Sequence, residues 1–249
     1  MLILLPPSET KRAGGARTPL AVGGLSLPTL APQRETVIDA LVALSADEDH
    51  AARVLKLGPT QRHEVAANAR LRDSATMPAV DRYTGVLYDA VDAASLDGAA
   101  RRWLAHHVLI HSAPFGPIGA MDRIPAYRLG ASASIPGIPA LRALWSDAVS
   151  AALAEARPDF VLDLRSEAYV ALGPVPDSLR SIYVRVVSES SDGVTRALNH
   201  FNKHAKGALV RRLAEERPRV ASLPALLRWA DGAGIVLRPG ASGELDLLV

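Results

Sequence analysis

Met1-Leu2-Ile3-Leu4-Leu5-Pro6-Pro7-Ser8-Glu9-Thr10-Lys11 is the stretch on which the fold turns. A continuous apolar run of this length, stopped by a Pro-Pro pair, reads as a short buried strand. The polar residues after it, running into Gly14-Gly15, read as a loop leaving the edge of a sheet. Gly and Pro recur from Ala16 to Gln33, and no regular element is assigned there.

Further along, apolar residues fall at helical spacing in 34–44, 47–57 and 60–71, the last two separated by a Gly58-Pro59 break. Segments 83–91 and 97–107 read as helices, and Val108-Leu109-Ile110 as a buried strand. A long amphipathic helix is expected over 139–157, closed by Pro158, between strands at 108–110 and 159–164. Another strand over 181–188, a helix over 193–217 and two closing strands at 235–237 and 244–249 complete the pattern. Alternation of this kind predicts an α/β protein with a mixed sheet, since crossover helices join parallel strands. The expectation is one domain over 1–249, with 35–72 as a helical insertion.

Hydrophobic residues make up 49% and charged residues 22% of the 249, the balance of a chain that folds. Aromatics are only 4%, so the core must be built from aliphatic side chains. Cysteine is absent, which removes disulfides, thiolate ligands and cysteine nucleophiles together. The opening apolar run is too short for a signal peptide, and nothing approaches the ~20 apolar residues of a membrane span. A cytoplasmic monomer is the expectation, with no membrane partner. A formal charge of +2 does not by itself argue for nucleic acid.

Several segments, in order, resemble the YaaA peroxide-stress family. They are the opening Met1 to Lys11; Tyr83-Thr84-Gly85; Ser112-Ala113-Pro114-Phe115-Gly116; Ile124-Pro125-Ala126-Tyr127-Arg128-Leu129; Leu164-Arg165-Ser166-Glu167-Ala168-Tyr169; and Lys203-His204-Ala205-Lys206-Gly207. The first and third depart from the runs familiar in the family, Ser-Pro-Ala-Lys-Thr and Gly-Leu-Tyr-Gly, which marks a divergent branch. The resemblance implies a compact α/β fold of unusual topology, a helix-hairpin-helix element for double-stranded DNA, and a cytoplasmic role in limiting iron and peroxide damage.

Two constellations follow from the residues. In the first, Lys56, Gly58, Thr60 and Arg62 sit on the expected helical hairpin, where outward N–H groups of a turn and a helix start can hold a DNA phosphate without reading bases. An ordinary helix pair with a solvated face is the competing reading. In the second, Ser8, Glu9 and Lys11 follow the first strand, Ser112 follows the strand at 108, and Ser166, Glu167 and Tyr169 follow the strand at 159. Loops beyond the carboxyl ends of strands converge on the ligand crevice of α/β sheets. On the helix from Gly193, Asn199, Lys203 and Lys206 share one face, and with Tyr83 and Arg128 they predict a site for a small phosphorylated or carboxylated ligand. Ser8, Lys11, Ser166, Glu167, Lys203 and Lys206 are expected around one cavity. If the chain is an enzyme, Lys203 or Lys206 is the electrostatic group and Glu167 or Tyr169 the acid or base. The plainer alternative is that Glu9 and Glu167 pair with the lysines and tie sheet to helix.

Binding of DNA or another polyanion through a basic cleft is the leading expectation, and the small-substrate enzyme the alternative. His106, His107 and His111 raise a metal reading, but neighbouring histidines point apart on a helix and no cysteine supports them. No metal or cofactor is expected.

Overall fold

The computed structural model describes residues 1–189, 195–196 and 199–249. In chain order, strand β1 (Leu2–Leu5) leads to helices α1 (Ala31–Leu44) and α2 (Glu48–Val54), a 3-10 segment (Pro59–Glu64) and α3 (Val65–Ala69). Strand β2 (Met77–Pro78), helices α4 (Ala79–Arg82), α5 (Val86–Val91) and α6 (Gly98–His107), and strands β3 (Val108–Ser112), β4 (Gly116–Gly119) and β5 (Arg123–Ile124) follow. Helix α7 (Leu141–Ala156), β6 (Val161–Asp163), α8 (Glu167–Leu172), β7 (Ser181–Glu189), β8 (Thr195–Arg196), α9 (Asn199–Glu216), α10 (Leu223–Gly232), β9 (Leu237–Pro239) and β10 (Glu244–Leu248) complete it.

Among these, β4-β3-β1-β6-β7-β10-β9 form one mixed sheet in that order, with β8 on β7, and β2 pairs β5 apart from it. The apolar run Leu2–Leu5 becomes a central strand, parallel to β3 on one side and to β6 on the other. Ile3, Leu4 and Leu5 are buried, as a strand covered on both faces requires. The antiparallel pairings β3 with β4 and β10 with β9 make the sheet mixed, as the alternation of elements predicts.

Register positions the chemistry. Leu109, Leu4, Asp163, Tyr183 and Glu244 are successive partners in one row across β3, β1, β6, β7 and β10. Partners in a row point to the same face, so an apolar half-row continues into a polar one. Helix α7, through Leu141, Trp145, Val149 and Leu153 at helical spacing, contributes its apolar side to the core.

Some elements differ from the sequence-based expectation. The helix expected over 83–91 starts only at Val86, because Gly85 adopts a φ of 94° and its place lies against the Ser8 and Thr10 side chains. The expected 60–71 helix opens as a 3-10 turn behind Pro59, with only Val65–Ala69 fully α-helical. Helices α8 and α10 escape the apolar-periodicity reading. The start expected at Gly193 lies outside the described residues, whereas α9 runs from Asn199. Among the described residues no helix is long and apolar enough to cross a membrane.

Candidate functional site

Because β1, β3, β6 and β7 are parallel, the segments after the first three leave the same edge of the sheet. Two adjoining clusters are built there.

The first surrounds Lys11. Its backbone bridges Tyr83, and Thr84 N–H donates to Thr10 O, so the loop after β1 is zipped to the segment between α4 and α5. Arg82, buried, fixes that zipper by donating to the carbonyls of Arg12, Gly14, Ala75 and Ile124. The Lys11 ammonium folds back to donate to Ser8 O (3.0 Å) and Glu9 O (3.1 Å). It lies 4.0 Å from the centre of the Tyr127 ring and 5.6 Å from that of Tyr83. Burial is the main force on it and, with Arg128 nearby, brings Lys11 down to about 7 against the weaker pull of Glu64 and Glu9. The Tyr83 and Tyr127 hydroxyls are 2.8 Å apart, and the Ser112 hydroxyl accepts from the Phe115 N–H (3.0 Å). Burial holds both phenols protonated. Arg128 closes the rim, 3.3 Å from Glu9 and 3.6 Å from Glu64.

The second cluster is a cleft of about 750 Å³ between α7, α8 and the outer strands. Arg142 and Ser146 of α7, Glu167 of α8, and Asp163, Tyr183 and Arg185 of the sheet are among its walls. Asp163 is held by Arg165, whose Nε donates over 2.9 Å and Nη2 over 2.6 Å to its two oxygens. Arg165 is wholly buried, and its Nη1 also donates to Gly173 O (2.7 Å) and to His111 Nδ1 (2.9 Å). A guanidinium has no acceptor, so His111 Nδ1 must accept and the ring proton sits on Nε2. That Nε2 is buried without a partner. Burial first, then Arg165, holds His111 neutral, far below the usual histidine range.

Lys206 of α9 stands beside Tyr183, one of the cleft's lining residues. It is 5% exposed, and its ammonium lies 5.3 Å from the centre of the Tyr183 ring. Burial brings it down to about 8, with Asp163 pulling up and Arg185 pushing further down. No carboxylate stands within ion-pair distance of Lys206 among the described residues, since Asp163 is taken by Arg165. The helix can come this close because of Gly207: a Cβ there would lie 2.2 Å from Leu87 O, so α9 rests on the backbone of α5.

The structure thus brings Ser8, Glu9, Lys11, Tyr83, Ser112 and Arg128 together in one cluster, and Glu167 and Lys206 in the other. Tyr169 lies between them: its ring stands 5.8 Å from His111, while its phenol is held protonated by burial and by Tyr127 and Glu9 nearby. Ser166 is exposed at the start of α8. Lys203 points to solvent, because two positions three apart on a helix differ by about 60° around its axis, enough to put one in and one out. The Asn199 side chain lies outside the described residues.

On the hairpin, Lys56, Thr60 and Arg62 are exposed. Arg62 pairs with Asp49 at 2.8 Å, and the Gly58 N–H donates to Gln61 Oε1 at 3.2 Å. The turn donor of the phosphate reading therefore already has a partner. Asp163, Arg165, Tyr127, Tyr183 and Arg185 are site residues that sequence reasoning missed. Arg165 and Tyr127 lie inside the quoted family segments, which is the signal that pointed nearest to them.

Every segment that carries the family resemblance contributes to these two clusters, and the comparisons agree. The model of the family described as peroxide stress protein YaaA matches residues 1–232. A UPF0246 protein of Corynebacterium efficiens is 43% identical over the full length of both chains. One of Streptomyces coelicolor is 45% identical, covering 86% of this chain and 82% of its own. The chain belongs to the YaaA family of peroxide stress proteins.

Proposed function

We propose that this peroxide-stress family chain binds and acts on a small phosphorylated or carboxylated molecule in the cleft between α7, α8 and β7. The observation that carries the reading is Lys206, a buried ammonium without an ion-pair partner among the described residues, packed against the ring of Tyr183, which lines a cleft large enough for such a ligand. Buried and titrating near neutrality, Lys206 is suited to hold developing negative charge or to exchange a proton. Arg142 and Arg185 supply further positive charge at the walls, and Glu167 is the carboxylate available as base. Arg185 is exchangeable: it leans on Glu244 and, at 3.9 Å, on Glu167, both partly open to solvent where such pairs contribute little.

Binding of phosphomonoesters and dicarboxylates, followed by calorimetry and thermal shift, tests the reading. Lys206→Arg puts a planar fork where a compact ammonium fits and is expected to abolish binding while the melting curve stays cooperative. It is also expected to fail in a peroxide-survival complementation assay that Arg62→Ala passes. Full binding and survival by Lys206→Arg, beside loss by Arg62→Ala, would overturn the proposal.

A second reading, duplex DNA on the hairpin, is favoured by Arg53, Lys56 and Arg70, exposed cations that no carboxylate pairs among the described residues. It predicts sequence-indifferent affinity that falls steeply with salt. In that case Lys56→Ala weakens binding and Lys206→Arg leaves it unchanged.

A further inference from the structure

Lys11 is unusual for a lysine in having two backbone carbonyls and an aromatic face around its nitrogen and, among the described residues, no carboxylate within ion-pair distance. The carboxylates that would otherwise hold it as an ammonium, Glu9 and Glu64, are both drawn to Arg128. A neutral amine has two hydrogens, and Ser8 O and Glu9 O accept two. The Tyr127 ring favours the charged form, so the two forms lie close in free energy, and burial tips the balance toward the neutral one near pH 7. Such an amine is a nucleophile toward carbonyl carbon, as desolvated lysines are.

The rest of the cage suits that chemistry. Tyr83 and Tyr127 place two protonated phenols, 2.8 Å apart, on the rings that flank the amine. Arg128 is fixed by its backbone, since its N–H donates to Asn68 Oδ1 (2.7 Å) and its carbonyl accepts from Asn68 Nδ2 (2.9 Å). Its partner Glu9 is 82% exposed, a loose pair that an incoming carboxylate can replace at little cost.

We propose that Lys11 is a carbonyl-capturing amine that condenses with a small oxo acid, whose carboxylate is received by Arg128 in place of Glu9. The nitrogen lone pair adds to the carbonyl carbon. Both amine hydrogens then leave with the carbonyl oxygen as water, and a C=N bond joins Lys11 to the ligand, with no net oxidation or reduction. This is a different site and a different reaction from the cleft at Lys206, and neither depends on the other.

Glyoxylate with cyanoborohydride at about pH 7 tests the proposal, because hydride reduces the imine to a stable secondary amine. The chain's lysines are Lys11, Lys56, Lys203 and Lys206, so a peptide map assigns the label directly. Lys11 is expected to be labelled roughly tenfold faster or more than Lys56 and Lys203, which are exposed and outside the cage. Arg128→Gln is expected to slow capture of glyoxylate more than capture of propionaldehyde, which has no carboxylate and is slowed only because loss of the Arg128 charge lets the pKa of Lys11 rise. Labelling of Lys56 and Lys203 at the rate of Lys11, or no label on Lys11, overturns the proposal on the wild-type protein alone. Equal slowing of both aldehydes in Arg128→Gln overturns the role of Arg128.

Discussion

At Lys206, a buried amine makes stability depend on pH in a definite direction. The unfolded chain releases this proton near 10.5 and the folded chain near 8, so between those values the unfolded state binds more protons and stability rises with pH. The displacement corresponds to about 3 kcal/mol, the cost of holding the ammonium in the fold below pH 8, and it fades toward 10.5. Lys11 adds a rise of the same sign beginning near 7. Lys206→Met is therefore expected to be more stable than wild type near neutral pH and to flatten the rise above pH 8. Urea titrations taken up to about pH 9.5, below tyrosine ionisation, measure it. An unchanged slope would show that the amine keeps its ordinary protonation in the fold.

Among the elements, α9 owes its place to one residue. Gly207→Ala puts a methyl group 2.2 Å from Leu87 O, a backbone atom that cannot swing away, and α9 must lift from α5. A loss of roughly 1–3 kcal/mol is expected in denaturant unfolding, with Lys206 binding lost alongside, because the helix that carries the ammonium has moved. The sequence exposes some elements better than others, for physical reasons. β1, β3, β7, α6 and α7 are legible because an apolar run or a helical period extends over the whole element. α8 is hidden because six residues are too few to show a period, as is the four-residue α4, and the helix expected from Tyr83 starts only at Val86 because Tyr83 is extended and Gly85 has a φ of 94°. The lysine cage is partly legible: Ser8, Lys11 and Ser112 follow strands, and the rule about carboxyl ends finds them. Tyr127 lies in no regular element and meets Lys11 only through tertiary packing, which no local pattern encodes. Helical spacing gives Lys203 and Lys206 a shared face but not its boundary, so it reads exposed Lys203 into the site.

For the molecule as a whole, two buried arginines act as ties. Arg34 donates from α1 to Ser26 O, Phe115 O and Pro117 O, and Arg82 joins four separate carbonyls, so distant loops are bound through cations that, among the described residues, keep no carboxylate partner within ion-pair range. Arg82→Met is expected to strand those carbonyls and cost about 3 kcal/mol or more, with faster proteolysis in the loop 12–16 as the local readout. The central place of β1 has a consequence for biosynthesis. Leu2–Leu5 is translated long before Val108–Ser112, and longer still before Val161–Asp163, yet these are the strands that flank it. During elongation the apolar segment emerges from the ribosome with its hydrogen-bonding edges open, and the sheet cannot close until α7 and β6 have followed. The nascent chain therefore passes through a long window in which this segment is open to chaperone capture or to pairing with another chain, and synonymous codon changes that slow translation between α1 and β6 should lower the yield of native protein without altering a single residue.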